Sequence, residues 1–231
     1  MKLSNRIEAL PYSAIRKLTP YADKAKKAGK KIYHLNIGAP DVKTPDLFLD
    51  AIKNLDLDVL TYAPSKGLPE LIEATSKYYK SWGMDFDPED IVVTTGGSEA
   101  LLFAILAITD EGDEILTCEP FYANYNSFSY ETGIKMNSFS SSVQDGFHLP
   151  NKEAIEKAIT PKTKAILLSN PCNPTGTVYN KEELRMVADI AKAHDLFILS
   201  DEVYREFTFD GAEFVSFATF EDVKDRVIVL D

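Results

Sequence analysis

Asp201 closes the apolar run Leu196-Phe197-Ile198-Leu199-Ser200 and opens Asp201-Glu202-Val203-Tyr204. A carboxylate at the end of such a run is partly withdrawn from water, which is costly unless a cation or several donors meet it. No basic residue adjoins it in sequence. A protonated ring nitrogen of a cofactor would meet the need; a plain helix cap or turn would also account for an Asp here. A second chemical signal is Gly96-Gly97-Ser98-Glu99-Ala100, which leads from an apolar segment straight into a helical pattern. Glycines admit a ligand close to the backbone, and a helix start offers unpaired N–H groups with partial positive charge, a natural phosphate site. A glycine turn capped by Ser98 is the simpler alternative. The run matches neither the dinucleotide G-x-G-x-x-G nor the P-loop. Third comes Ser169-Asn170-Pro171-Cys172-Asn173-Pro174-Thr175-Gly176. The proline steps on either side of Cys172-Asn173 stiffen the backbone, because a residue before proline avoids the α region. A stiff loop holds the Asn173 amide at fixed depth, which goes beyond what turning the chain requires.

These segments need elements to position them. From Ile91 onward, short apolar runs recur at 91–95, 115–118, 165–169, 196–200 and 227–230. Helical patterns fill most of the gaps: Leu101, Ala104, Ile105 and Ile108 in one, Leu184, Val187, Ala188 and Ala191 in another. The second opens on Asn180 with Glu183 three residues on, a capping-box spacing. Strands alternating with helices predict an α/β fold with a mainly parallel sheet covered on both faces. Ligands of such sheets collect beyond the carboxyl ends of the strands, here after Thr95, Cys118, Ser169, Ser200 and Leu230. The first 45 residues read differently, with a basic, alanine-rich helical patch over 21–31 closed by Gly29 and a short strand over 32–35. Thr44-Pro45 reads as N-cap and first turn of a helix carrying Phe48, Ala51, Ile52 and Leu55. Pro69 opens another, with Leu68, Leu71, Ile72 and Thr75 on one face.

Composition narrows the function classes. The 231 residues hold 25 Lys and Arg against 36 Asp and Glu, a formal charge of −11. A fold-wide basic footprint for nucleic acid is absent, and attraction to an anionic membrane is disfavoured. The longest apolar run, 101–108, falls well short of the roughly 20 residues that span a bilayer. Met1-Lys2-Leu3-Ser4-Asn5-Arg6 lacks the apolar region of a secretory signal. Two cysteines, Cys118 and Cys172, make no disulfide framework and suit a reducing, cytoplasmic setting. Three scattered histidines give no histidine-rich metal site, and no metal is expected.

The order of the motifs resembles that of the class I/II aminotransferases, pyridoxal-phosphate enzymes with the fold of aspartate aminotransferase. The pieces that carry the resemblance are Asn36-Ile37-Gly38-Ala39-Pro40-Asp41, Thr61-Tyr62-Ala63-Pro64-Ser65-Lys66-Gly67, the Gly-Gly-Ser-Glu-Ala run, Asn170 to Gly176 and Ser200 to Tyr204. It implies a three-layer α/β/α domain over residues 46–231, preceded over 1–45 by an N-terminal arm and the start of a small domain. It further implies that the amides of Gly97, Ser98 and Glu99 hold the phosphate of pyridoxal 5'-phosphate and that Tyr122 stacks on its ring. Asn173 and Tyr204 would donate to the phenolic oxygen, and Asp201 would pair with the pyridinium nitrogen. Gly38 would meet the substrate carboxylate, and Tyr62 would reach the phosphate of a neighbouring subunit in a homodimer. The implied reaction moves an amino group between an amino acid and a 2-oxo acid.

The family's Schiff-base lysine follows a strand like 226–231, just where this sequence stops, so the chain by itself is expected to be inactive. A C–S β-lyase on the same scaffold and a non-catalytic ligand-sensing domain are the alternatives. Residues 12–18 are the stretch present with a bearing on side-chain recognition, and the donor amino acid stays open.

Overall fold

The computed structural model describes residues 1–10, 13, 16–36 and 38–231. Tyr12, in the stretch expected to bear on side-chain recognition, and Ile37, in the Asn36–Asp41 motif, lie outside them. The chain divides into two compact units, Met1–Leu10 with Ser65–Asp231, and Pro11–Pro64.

In the larger unit, α1 is Asn5–Ala9. The second unit holds α2 (Thr19–Lys27) and α3 (Asp46–Lys53), neither of which buries a side chain. The helix expected from Thr44-Pro45 starts one step later, with Pro45 as its extended flanking residue. Residues 32–35 form no strand.

The larger unit continues with α4 (Pro69–Ser81), α5 (Gly97–Ile108), β1 (Glu114–Glu119), α6 (Asn124–Thr132) and β2 (Lys135–Ser140). Then come α7 (Lys152–Glu156), β3 (Thr163–Ser169), α8 (Lys181–Ala193), β4 (Phe197–Asp201) and β5 (Val227–Leu230). The five strands stand in the order β2-β1-β3-β4-β5 and every pair is parallel.

Alternation along the central strands splits their side chains between two apolar layers. Leu116, Ile166, Leu168 and Ile198 pack with Leu184, Val187 and Ala191 of α8 on one face. Ile115, Ala165, Leu167 and Leu199 pack with Leu101 and Ile105 of α5 and with Tyr125 and Phe128 of α6 on the other. The sheet is therefore covered on both faces, as expected, and the architecture is three-layer α/β/α. Helix α8 opens with the expected capping box between Asn180 and Glu183. In α4 the buried face is Ile72, Ser76 and Tyr79, while Leu68 and Leu71 stay exposed, so the inward stripe is turned from the expected one.

A second expected strand, over 91–95, is also absent, and one strand was not expected. Residues 91–94 are irregular and outside the sheet. The Val93 N–H donates to the Lys66 carbonyl at 2.8 Å. Gly67 (φ +117°) lies so close that a Cβ there would sit 2.5 Å from Val93 Cγ2. The segment is thus tied to a loop. Conversely, β2 went unforeseen because Lys-Met-Asn-Ser-Phe-Ser is a mostly polar edge strand.

Candidate active site

The carboxyl ends of β3, β4 and β5 meet the start of α5 around one cavity of about 220 Å³. Strand register sets Ser169 beside Asp201, and Asp201 beside Leu230, and all three line the cavity. Gly97 and Ser98 enter the lining from the first turn of α5, where backbone N–H groups have no carbonyl one turn back to bond. Gly96 turns the chain into that helix at φ +82° and no side chain caps it, so the alternative of a turn capped by Ser98 is not what is found. A Cβ on Gly97 would meet Val203 Cγ1 at 3.5 Å and the Asp231 carbonyl at 3.6 Å, ordinary van der Waals distances that place the end of β5 beside the helix start. Glu99 lies one step further in: its amide donates to the Gly96 carbonyl at 3.1 Å, and its carboxylate accepts from the Thr95 N–H at 2.6 Å.

Asn173 reaches the cavity from a loop pinned at several points. The Asn170 amide donates to the Asp201 carbonyl (2.9 Å), the Asn170 side-chain oxygen accepts from the Tyr179 N–H (3.0 Å), and Gly176 N–H donates to the Cys172 carbonyl (2.7 Å). Both Asn-Pro peptide bonds in this loop are cis. Tyr122 and Tyr204 complete the set of expected residues that share the cavity. The Tyr122 hydroxyl accepts from Asn124 at 2.8 Å, which orients the ring. Gly38 and Tyr62 belong to the Pro11–Pro64 unit.

Sequence reasoning missed Tyr125. Its hydroxyl donates to Asp201 Oδ2 at 2.5 Å, and its ring stands edge-on to Tyr122 with centroids 5.6 Å apart. Tyr122 stands just ahead of α6 and Tyr125 in its first turn, and no periodicity in the sequence singles Tyr125 out. Burial raises the proton affinity of the Asp201 carboxyl above the ordinary carboxylate range; the bonds from Tyr125 and from the Val203 amide oppose the shift, and the Asp231 charge adds to it. Tyr125 is pushed far up by burial and by the carboxylate it serves. Asp201 Oδ1 is buried with no hydrogen-bond partner among the described residues. Buried polar atoms are normally satisfied, so this orphan asks for a donor from outside the chain.

The cavity thus offers a helix-start anion cradle and an acceptor that needs a proton donor. The family model for aminotransferase class I and II matches residues 30–231. The chain belongs to this family. Its sequence is 34% identical to an aspartate aminotransferase of Geobacillus stearothermophilus, over all of this chain and 59% of that protein. It is 36% identical to aromatic-amino-acid aminotransferase 2 of Thermococcus litoralis, again over all of this chain and 59% of the relative. A solved structure of a Thermus thermophilus aspartate aminotransferase mutant superposes with a TM-score of 0.91 at 33% identity, over 99% of this chain and 59% of that one. The chain therefore spans about three-fifths of the length of the aminotransferases it matches. Class I and II aminotransferases use pyridoxal 5'-phosphate. The residues present fit that group: the orphaned Oδ1 suits a protonated pyridine nitrogen, and the open amides at Gly97 and Ser98 suit a phosphate. Among the described residues no group of three or more His, Cys, Asp or Glu could hold a metal ion. None of the described helices is long and apolar enough to cross a membrane.

Proposed function

We propose that the protein transfers an amino group between an amino acid and a 2-oxo acid, with pyridoxal phosphate seated in this cavity. The observation that carries the reading is the buried, unpartnered oxygen of Asp201 in the same cavity as the α5 start. When bound, the cofactor supplies an electron sink for the carbanion formed at the substrate Cα. Asp201 would hold a proton on the ring nitrogen, and Tyr125 would keep that carboxylate aimed and ionised. Gly97 and Ser98 would bind the phosphate with their amides, with Glu99 closing the same helical turn. Tyr122 would cover the ring, and Asn173 and Tyr204 would donate to its phenolic oxygen. Gly38 would receive the substrate carboxylate, and Tyr62 would reach the phosphate across a homodimer, so the reading includes shared sites between two copies. A cofactor domain over residues 46–231, preceded over 1–45 by an N-terminal arm and the start of a small domain, belongs to the same reading, as does a cytoplasmic location.

Equilibrium dialysis against pyridoxal phosphate tests the first half: saturable binding is expected, and Asp201→Ala should weaken it at least about tenfold, a loss of about 1.4 kcal/mol. The second half is tested with a ¹⁵N-labelled amino acid and a 2-oxo acid. Label in the newly formed amino acid supports transfer; labelled ammonia released with a 2-oxo acid, and no label in a new amino acid, would show elimination.

A further inference from the structure

Arg205 is the largest side chain that the larger unit buries completely, at 1% exposure. Its guanidinium is held at both ends: Nη2 donates to Glu202 Oε2 at 3.1 Å and Nη1 donates to Asp231 Oδ2 at 2.5 Å. Glu202, with no exposed surface, also accepts from Ser200 Oγ at 2.7 Å and Ser216 Oγ at 2.6 Å. The rings of Tyr79, Tyr78 and Phe214 enclose the cation at 5.1, 5.5 and 6.0 Å from its central carbon. A buried ion pair is weak evidence for stability, because desolvation offsets most of the attraction. What the pair supplies is geometry: the rigid planar fork holds the two carboxylates in a defined relation to each other.

What the fork bridges matters for the site. Glu202 follows Asp201 directly, and its amide donates to the Leu230 carbonyl at 2.8 Å. Asp231 follows Leu230, and its carbonyl lies within 3.6 Å of where a Gly97 Cβ would be. Arg205 itself follows Tyr204 and bonds back to the Glu202 carbonyl at 3.0 Å. We infer that Arg205 is a positioning residue: through Glu202 and Asp231 it fixes the turn bearing Asp201 and Tyr204 against the end of β5 and the Gly97–Ser98 helix start, setting the span between the two grips on the cofactor.

The inference rests on the cofactor reading above. The test is equilibrium dialysis with pyridoxal phosphate, together with the absorption spectrum of the bound cofactor, on four proteins. These are the wild type, Arg205→Met, Asp231→Asn and, as a control for lost stability, Ile155→Ala, whose side chain is fully buried in α7 remote from the cavity lining. Arg205→Met should weaken binding about tenfold, equivalent to about 1.4 kcal/mol, and shift the spectrum that reports ring protonation. Asp231→Asn, at a partly exposed position, should weaken binding in the same direction, and it decides alone if Arg205→Met does not fold. Ile155→Ala should lower the melting temperature with affinity and spectrum unchanged. Wild-type affinity in both Arg205→Met and Asp231→Asn overturns the inference alone, as does an equal loss in Ile155→Ala. A wild type that takes up no cofactor overturns the cofactor reading and this inference with it.

Discussion

Replacing Asp201 with Asn should stabilise the cofactor-free protein while weakening its hold on pyridoxal phosphate. The carboxylate is buried, one oxygen bonded to Tyr125 at 2.5 Å and the other to nothing. Burial raises its pKa above that of the unfolded chain, which is about 3.9. Below that value both states carry the proton. Between it and the raised folded value, the folded protein keeps a proton that the unfolded chain has released, so stability falls as pH rises, by up to about 1.4 kcal/mol per pH unit. Above the folded value the loss is complete and constant. Asn has no proton to titrate and feels none of this. It does give up a charge-assisted bond from Tyr125 for a neutral one, a loss of about 1 kcal/mol. The variant should therefore be level with or slightly below the wild type near pH 4 and overtake it as pH rises. At neutral pH the variant should unfold at the higher urea concentration, and each kcal/mol of difference is worth about 2–4 °C in Tm for a chain of this size. Urea titrations of both proteins from about pH 4 to pH 8 read the crossing directly. Adding cofactor should reverse the order, since the wild type gains the larger binding term. A stability gap that is the same at every pH, or a variant weaker throughout, would refute the claim that Asp201 is a desolvated, under-bonded carboxylate.

Tyr125→Phe removes the only side-chain donor that Asp201 has among the described residues; it should cost about 1–3 kcal/mol by urea unfolding and lower cofactor affinity as well. Asn180→Ala strips the capping box from α8 and should cost about 1 kcal/mol, with cofactor affinity unchanged in dialysis. Ile166→Ala opens a cavity in the middle of β3, where the side chain is fully buried, and should cost about 2–5 kcal/mol in the same denaturation assay. Burial pushes the Cys118 thiol up to about 11, so iodoacetamide at neutral pH should label it only as denaturant unfolds the protein; fast labelling of the native state would contradict this.

The motifs that could be read from the sequence are those in which chain-local pattern and site position coincide. Asp201 and Asn173 each follow an apolar run that is an inner strand of the parallel sheet, and Gly97 and Ser98 follow an apolar run that is not a strand but ends at a helix start all the same. Where pattern and position part, the sequence was silent. Helix α6 reads Asn-Tyr-Asn-Ser-Phe-Ser-Tyr-Glu-Thr, with no apolar stripe, so nothing marked Tyr125 as the inward residue that would serve Asp201. Residues 91–95 have the composition of a strand, but composition carries no information on whether a neighbour is there to pair with. The deeper ambiguity lay inside Asp201-Glu202, two adjacent acids of which only one faces the cavity. Strand periodicity resolves it. Leu199 belongs to the layer shared with α5 and α6, and Ile198 to the layer shared with α8. With a period of two, Asp201 falls with Leu199, on the side where Tyr125 and the α5 start lie, and Glu202 falls with Ile198 and Ser200, toward the other layer. One acid then lacks an internal counter-charge and needs a ligand, while its neighbour is matched by Arg205 at 3.1 Å. The difference between the acid that lines the cavity and the acid paired inside the fold is, in this protein, a shift of one residue at the end of β4.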